Sequence, residues 1–178
     1  LPLRIFMDNV TKVAFPAFSR LQHEPKQLAR AIEMALKYLS LSTFPILIGM
    51  GFLASPLIHL IPRYLKWLPA LIPQYIYLYN SAWACVSTSL TNTLNALGKI
   101  KTTSKLMIMW VILTWALMPL LGIYRGYLGV SFAVGLIATS SIITVFAVRR
   151  HVRFSLISSF RTSLLSSLAL ALSLFILN

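Results

Sequence analysis

Charged residues are scarce in this chain of 178 residues, and acidic residues are almost missing. Only 11% of the residues are charged, and aspartate and glutamate together number three against sixteen lysines and arginines. A soluble domain carries about 25% charged residues, whereas 58% of this sequence is hydrophobic and its mean hydropathy is +0.80. Because something polar must cover a soluble core, this composition excludes an ordinary water-soluble domain.

Cysteines and catalytic motifs are also scarce. Cys85 is the one cysteine, which excludes an internal disulfide and predicts a small buried thiol. His23, His59 and His151 are too scattered for a metal site, with so few acids to assist them. The sequence contains no phosphate-binding glycine loop, nucleophile elbow or pair of carboxylates. We therefore expect neither an enzyme nor a metal or cofactor site, and a role of His59 in proton coupling is a weaker alternative.

Long uncharged stretches dominate what is present. About 20 helical residues cross a hydrocarbon core of roughly 30 Å. Five stretches reach or approach that length: 38–62, 67–98, 106–124, 126–148 and 162–178. Residues 1–19 are a sixth, weaker candidate that lacks the pattern of a signal peptide. The predicted fold class is therefore all-α, a polytopic membrane protein with a bundle of about six transmembrane helices.

Basic residues are concentrated in alternate loops between these stretches. Four, three and four of them lie near 20–37, 98–105 and 149–161, against two and one near 62–69 and 122–127. Because basic loops remain on the cytoplasmic side of a membrane protein, loops 20–37, 98–105 and 149–161 are predicted to be cytoplasmic. The net charge of +13 then needs no nucleic-acid partner.

The loop 20–37 is long enough to contain a helix of its own. Glu24-Pro25 is typical of a helix start, and apolar residues recur at helical spacing at Leu28, Ile32, Ala35 and Leu36. This pattern predicts a cytoplasmic helix along the inner interface that continues into the next span. That span contains two prolines and two glycines, Pro45, Pro56, Gly49 and Gly51. These residues are compatible with a helix that bends during transport or with close packing between helices.

Two polar groups in the apolar segments are candidate binding residues. Asn80, Ser87, Thr91 and Asn95 share one helical face, which predicts the wall of a hydrophilic cavity or, alternatively, hydrogen bonds between helices.

The second group lies in the first segment, where Arg4, Asp8 and Lys12 follow each other at four-residue spacing. Charges near mid-membrane are costly, so this group is expected to face a wet interior. It is compatible with an anion-binding cluster or with an ion-pair ladder near the outer end of the helix.

Five motifs occur in a characteristic order along the chain. They are "VAFPAFSRLQHEPKQLARAI" (13–32), "FPILIGMGFLASPLIHLI" (44–61), "KWLPALIP" (66–73), "LNALGKIK" (94–101) and "GYLGVSFAV" (126–134). The series resembles the bacterial polysaccharide exporters, the lipid-linked oligosaccharide flippases of the superfamily that also includes multidrug antiporters. One departure is the loop "IPRYLKW", which lacks the glycine that this branch often has before the tryptophan.

The resemblance implies two six-helix lobes that alternate access around a central cavity. Residues 1–178 would form most of the second lobe, as a piece of a longer protein that begins here at Leu1. The implied substrate is an undecaprenyl-diphosphate-linked oligosaccharide, carried outward across the bacterial inner membrane. Its diphosphate would meet Arg4 and Lys12, its sugars would meet the polar face of 80–95, and Asp8 would assist ion coupling.

The implied partners are membrane lipids, the first lobe of the same chain, and the polymerase and glycosyltransferases of the pathway. The main alternative is a multidrug or small-molecule antiporter on the same scaffold, which would be expected to have a more acidic cavity. A membrane-bound transferase and a purely structural subunit are further alternatives.

Overall fold

The computed structural model describes residues 14–152 and 154–176, and these residues form helices and turns without a strand. After helical residues 14–20, the order is α1 (Pro25–Leu60), a 3-10 helix (Pro62–Ala70), α2 (Leu71–Ala96), α3 (Ile100–Ser140), α4 (Ile142–Arg149) and α5 (Leu156–Ile176). The predicted all-helical class is confirmed. The predicted bundle of about six helices is confirmed only in part, since five α-helices follow from Pro25 onward in the described chain.

Helix α1 joins the predicted surface helix and the following span without a break. Pro25 occupies its first turn, where the missing N–H would have no partner in the helix and costs nothing. Leu28 and Ile32 have no exposed surface and Leu36 is also buried, so the apolar face of 25–37 packs against protein. Its position relative to a membrane stays a prediction.

The helix continues through both internal prolines, and its two glycines differ in their surroundings. A Cβ on Gly51 would lie 3.4 Å from a methyl group of Leu78, and the Tyr75 hydroxyl donates a 3.3 Å hydrogen bond to the Gly51 carbonyl. Gly49 has nothing within 4 Å of a Cβ position. Close packing therefore accounts for Gly51, whereas bending of α1 during transport stays a prediction.

Helix α2 runs antiparallel to α1. Tyr75 near its start contacts Gly51, and Cys85 further along contacts Thr43, which lies earlier in α1. The Cys85 thiol is buried, as predicted, and donates weakly to the Thr43 hydroxyl oxygen at 3.7 Å.

Helix α3 is a hairpin of two antiparallel arms rather than one rod. Arg125 and Gly126 leave the helical conformation, and Gly126 has a positive φ of 57°. The indole Nε1 of Trp110 donates a 3.2 Å hydrogen bond to the Ser140 hydroxyl. In a straight helix these residues would be about 45 Å apart. The reversal at Arg125 confirms the loop predicted near 122–127 and divides the apolar stretch into two helical arms.

The remaining contacts fix the direction of the last elements. The second arm of α3 runs parallel to α2, because Ile76 lies beside Gly135 and, further along both helices, the hydroxyl oxygens of Tyr79 and Thr139 are 3.1 Å apart. Helix α5 runs parallel to α1, since Glu33 contacts Ser155 at the start of α5 and, further along both helices, the hydroxyl oxygens of Ser40 and Ser163 are 2.6 Å apart. From Pro25 to Ile176, the described part of the chain therefore traverses the bundle five times in alternating directions.

The hydrophobic core lies at one end of this bundle. It joins the chain segments that flank the three basic loops: Phe18, Leu28, Ile32, Leu36, Val86, Leu90, Leu94, Ala96, Leu106, Val145, Val148, Val152 and Phe154. The three basic loops thus share one end, as the predicted alternation requires. The 3-10 helix and the turn at Arg125 lie at the opposite end.

Large apolar side chains cover much of the outer surface. Ile123 is 84% exposed and Trp115 is 78% exposed, and many other large apolar side chains on α1 and α3 are exposed to a smaller extent. Two described stretches, Pro25–Leu60 and Ile100–Arg149, are long and apolar enough to cross a membrane, and few of their residues are buried. A soluble protein rarely exposes such apolar patches, so the surface indicates membrane association.

Glu33 connects α1 to the start of α5. The backbone N–H of Ser155 donates to the Glu33 carboxylate at 2.7 Å, which places an anion at the positive end of α5. We expect Glu33→Ala to lower the free energy of unfolding by about 1 kcal/mol. Thermal unfolding of the purified protein in detergent measures this change.

Glu24→Ala is the matched control for this substitution, because the Glu24 side chain makes no capping hydrogen bond at the start of α1. Equal unfolding temperatures for the two variants would contradict the stabilising role of Glu33.

Candidate functional site

A small cleft lies between α2 and the α3 hairpin. Its volume is about 160 Å³, and it is lined by Asn80, Ala84, Ser87, Trp110, Ile137, Ala138 and Ser141. Ala84 of α2 and Ala138 of the second arm of α3 line the cleft with small side chains, which leave room beside Asn80. The cleft therefore depends on the hairpin, which brings Trp110 and Ser141 to the same place.

The polar groups of the cleft differ in how many of their hydrogen bonds are made within the protein. The Ser87 hydroxyl donates to the Ala84 carbonyl at 3.3 Å, and Trp110 donates to Ser140, which donates to the Ile137 carbonyl at 2.6 Å. The half-buried Asn80 amide makes no hydrogen bond to another described residue. Its donors and acceptor are available to a ligand or to water.

The structure brings together two of the four residues predicted to share a polar face. Asn80 and Ser87 both line the cleft. Thr91 is buried and its hydroxyl donates to the carbonyls of Ser87 and Thr88, each at 2.9 Å. Asn95 is half-buried near the end of α2 and does not line the cleft. The binding roles of all four residues stay predictions.

The other predicted group, Arg4, Asp8 and Lys12, lies outside the described residues. Its role in binding an anion or in ion coupling therefore stays a prediction from the sequence.

Two residues that line the cleft, Trp110 and Ser141, were not predicted from the sequence. In the sequence, the neighbours of Trp110 are apolar, as they are for any lipid-facing aromatic residue. The sequence therefore gives no indication that Trp110 lines a polar cleft. Ser141 belongs to a polar interruption, Thr139 to Ser141, in an apolar stretch, and this interruption is a signal that could have identified it. Their meeting with Asn80 depends on the tertiary packing.

The side chains that line the cleft include an amide, hydroxyls and an indole, but no ionisable group. Such a set can bind a neutral polar ligand by hydrogen bonds. Sugar hydroxyls and water are ligands of the matching chemistry. A volume of about 160 Å³ accommodates one small polar group or a few water molecules.

Asn80→Leu is expected to weaken binding of a neutral polar ligand at the cleft about tenfold, because leucine removes an amide worth roughly 1.5 kcal/mol of hydrogen bonding. Binding of a labelled oligosaccharide to the purified protein in detergent measures this change. Asn80→Gln retains the amide and is expected to keep more of the affinity. Unchanged binding by Asn80→Leu would contradict a role of the cleft in binding.

Residues 1–71 of the chain match the family model described as "Polysaccharide biosynthesis protein". The predicted resemblance is therefore confirmed over this part of the chain, which includes the first two motifs and most of the third. No curated protein and no solved structure gives a significant match to the chain.

Proposed function

We propose, on the premise that residues 1–71 match polysaccharide biosynthesis proteins, that the chain is part of a lipid-linked oligosaccharide flippase. The protein moves an undecaprenyl-diphosphate-linked oligosaccharide from the inner to the outer leaflet of the bacterial inner membrane. Residues 1–178 supply most of the second lobe, and the first lobe precedes it in the same protein. The family match is the single observation that carries this proposal.

The distribution of charge supports a multi-pass arrangement with the core end in the cytoplasm. The three basic loops lie at the core end of the bundle, and the 3-10 helix lies at the other. The positive-inside rule then assigns loops 20–37, 98–105 and 149–161 to the cytoplasm. Tyr64 and Trp67 in the 3-10 helix are exposed, which suits a position at the outer membrane interface.

The polar cleft supports a transport role because it lies within a helical bundle with an apolar surface. The Asn80 amide has no hydrogen-bond partner among the described residues, and an amide in such surroundings costs free energy unless water or a ligand reaches it. In a two-lobe transporter, the side of a lobe that faces the other lobe is wet. We assign the cleft at Asn80 to that side, where alternating access would present it to each leaflet in turn.

Deletion and complementation of the gene test the proposed function. In the deletion strain we expect loss of surface polysaccharide and accumulation of the lipid-linked oligosaccharide in the inner leaflet. The full-length protein should restore both. Vesicles reconstituted with the purified protein should then flip a fluorescent lipid-linked oligosaccharide.

Two results would contradict the proposal. One is a deletion strain with normal polymer and no accumulated intermediate. The other is a deletion that changes only resistance to small cationic drugs, which would favour the antiporter alternative.

A further inference from the structure

The second arm of α3 and helix α4 follow one another with a break in the helix at Ser141. In a continuous α-helix the Ser141 N–H would donate to the Ile137 carbonyl, but here it donates to the Ala138 carbonyl at 3.0 Å. The Thr144 N–H donates to the Ser141 carbonyl, also at 3.0 Å. Such 3-10 hydrogen bonds inside a helical path often mark a hinge. Ile137, Ala138 and Ser141 line the cleft, so the break forms part of its wall.

The hydroxyl group of Ser140 takes the place of the missing backbone donor at this break. It donates to the Ile137 carbonyl at 2.6 Å, and its oxygen accepts a 3.2 Å hydrogen bond from the indole Nε1 of Trp110. Linked hydrogen bonds of this kind polarise and strengthen one another. Trp110 also lines the cleft. The hydrogen bonds from Trp110 through Ser140 therefore connect the cleft to the break.

Thr144, one turn beyond Ser141, has a buried hydroxyl group that the broken helix leaves unsatisfied. It has no exposed surface, and its hydroxyl has no hydrogen-bond partner in the part of the chain that the structure describes. Other threonine hydroxyls inside the helices donate to the carbonyl three or four residues earlier, at Thr91, Thr93, Thr114 and Thr139. In a continuous helix the Ser140 carbonyl would be the acceptor at that position. The break therefore costs a buried hydrogen bond that a continuous helix would regain.

Two arrangements of this segment therefore compete, and each leaves one hydroxyl group unsatisfied. The broken helix satisfies Ser140 and leaves Thr144 without a partner. The continuous helix would satisfy Thr144, but the Ser141 N–H would then take the Ile137 carbonyl from Ser140. Because each arrangement has one unsatisfied hydroxyl, the free-energy difference between them is small enough for a ligand to reverse. A ligand oxygen that accepts from the Trp110 N–H weakens the broken arrangement, since Ser140 loses that hydrogen bond.

A change at the break would move the α3 hairpin against the core. The backbone joins the hairpin to the rest of the bundle at two points, the break at Ser141 and the turn at Gly98, which has a positive φ of 69°. Beyond the break, Val145 and Val148 are buried in the core. The far end of the hairpin is open, and Tyr127 there is 59% exposed. The core therefore holds α4, and the hairpin is the element that can tilt.

We infer that the break at Ser141 is a hinge that responds to the cleft: the empty cleft favours the broken helix, and a ligand oxygen at Trp110 favours the continuous one. Ser140 is a positioning residue that acts through Trp110. By linkage, the continuous helix binds the ligand more tightly to the same degree that the ligand favours the continuous helix. This inference rests on the proposed function only for the identity of the ligand, which would be a sugar-bearing molecule. It adds a way for an occupied cleft to tilt the hairpin.

Distances between two spin labels on the full-length protein in nanodiscs test the hinge without a ligand. Labels at the exposed Ile72 and Tyr127 report the separation of the hairpin from α2, after replacement of the native cysteines, Cys85 among them. A kink of about 20° displaces Tyr127, about 21 Å from Ser141 along the helix, by about 7 Å. We expect Ser140→Ala, which removes the hydroxyl group that stabilises the break, to shift this distance by several ångström.

Three further variants separate a hinge from a merely structural role of Ser140. Ser140→Thr retains the hydroxyl group and should keep the parent distance. Thr144→Val removes the unsatisfied hydroxyl with little change of shape, so it should keep the parent distance and raise the melting temperature by a few degrees. Ser131→Ala removes a hydroxyl that donates to the Tyr127 carbonyl in the same arm, and it should leave the distance unchanged. A lower melting temperature of Ser140→Ala at the parent distance would overturn the hinge.

The ligand that tests the coupling is the lipid-linked oligosaccharide that the deletion strain accumulates. Its addition should shift the parent distance toward that of Ser140→Ala, and it should bind Ser140→Ala severalfold more tightly than the parent protein. An unchanged distance, with or without binding, would overturn the coupling and leave the flippase proposal standing. A deletion strain that accumulates no such lipid contradicts the proposed function, whereas the distances measured without ligand would still decide the hinge.

Discussion

Gly129→Ala is expected to prevent the α3 hairpin from closing. The methyl group that it adds should destabilise the protein more than a methyl group added at any other position of the described chain. A Cβ on Gly129 would overlap the backbone carbonyl oxygen of Leu121 in the opposite arm. A side chain could rotate away from such an overlap, but a carbonyl group inside a helix cannot move without displacing its own hydrogen bonds. The two arms would therefore separate near the turn.

We expect this separation to cost at least about 3 kcal/mol, the upper range for overpacking in a core. For a protein of this size, that loss corresponds to a decrease of roughly 10 °C in the melting temperature. Size-exclusion chromatography and thermal unfolding in detergent measure it. Because the hairpin places Trp110 against α2, the cleft at Asn80 should be lost together with the fold.

Gly49→Ala is the control for the Gly129 variant. Gly49 also lies inside a helix, but a Cβ there meets nothing within 4 Å. Alanine favours the helix by about 1 kcal/mol relative to glycine, so this variant should be as stable as the parent protein or slightly more stable. If Gly129→Ala had the same melting temperature as Gly49→Ala, the close approach of the two arms would be disproved.

Neutralising Arg4 and Lys12 together is expected to lower polysaccharide export about a hundredfold or more. On the proposed function these two cations bind the diphosphate of the substrate, and each hydrogen bond to a charged group contributes roughly 1.5–3 kcal/mol. Two such losses multiply, since about 1.4 kcal/mol corresponds to a factor of ten. Surface polymer in a complemented deletion strain is the measurement, at protein levels matched by immunoblot.

The control for this pair removes two charges of the same sign elsewhere. Lys99 and Lys101 are basic residues of a predicted cytoplasmic loop, far along the chain from the first segment. Replacing both by glutamine should leave export close to the parent level. Undiminished export by Arg4→Gln with Lys12→Gln would refute the diphosphate role, and an equal loss in both double variants would indicate an effect of total charge.

The sequence predicted the helical class and the order of the spans because these depend on local patterns. Uncharged stretches of sufficient length are visible in the chain, and so are the basic loops between them. The start of α1 at Pro25 was also predictable, since proline in the first turn is a local signal. The reversal at Arg125 followed from a charge between two apolar stretches.

The site was less predictable than the fold. Asn80 and Ser87 could be placed on one face of α2 from their spacing, but which helix they meet depends on contacts distant in sequence. Trp110 reaches them only because a positive φ at Gly126 and the missing side chain of Gly129 allow a tight turn. Helical spacing also places Thr91 and Asn95 on this face, yet the Thr91 hydroxyl donates to the Ser87 and Thr88 carbonyls of its own helix.

By itself, the amino-acid sequence determined that the protein is helical, apolar on its surface and basic in alternate loops. Each of these features follows from the hydrophobicity and the charge of individual residues along the chain. Its first 71 residues also carried the polysaccharide biosynthesis pattern. Only the tertiary structure decided where the helices leave space. The cleft at Asn80 arises where the small residues Ala84 and Ala138 of different helices meet, and packing between segments far apart in the chain brings them together.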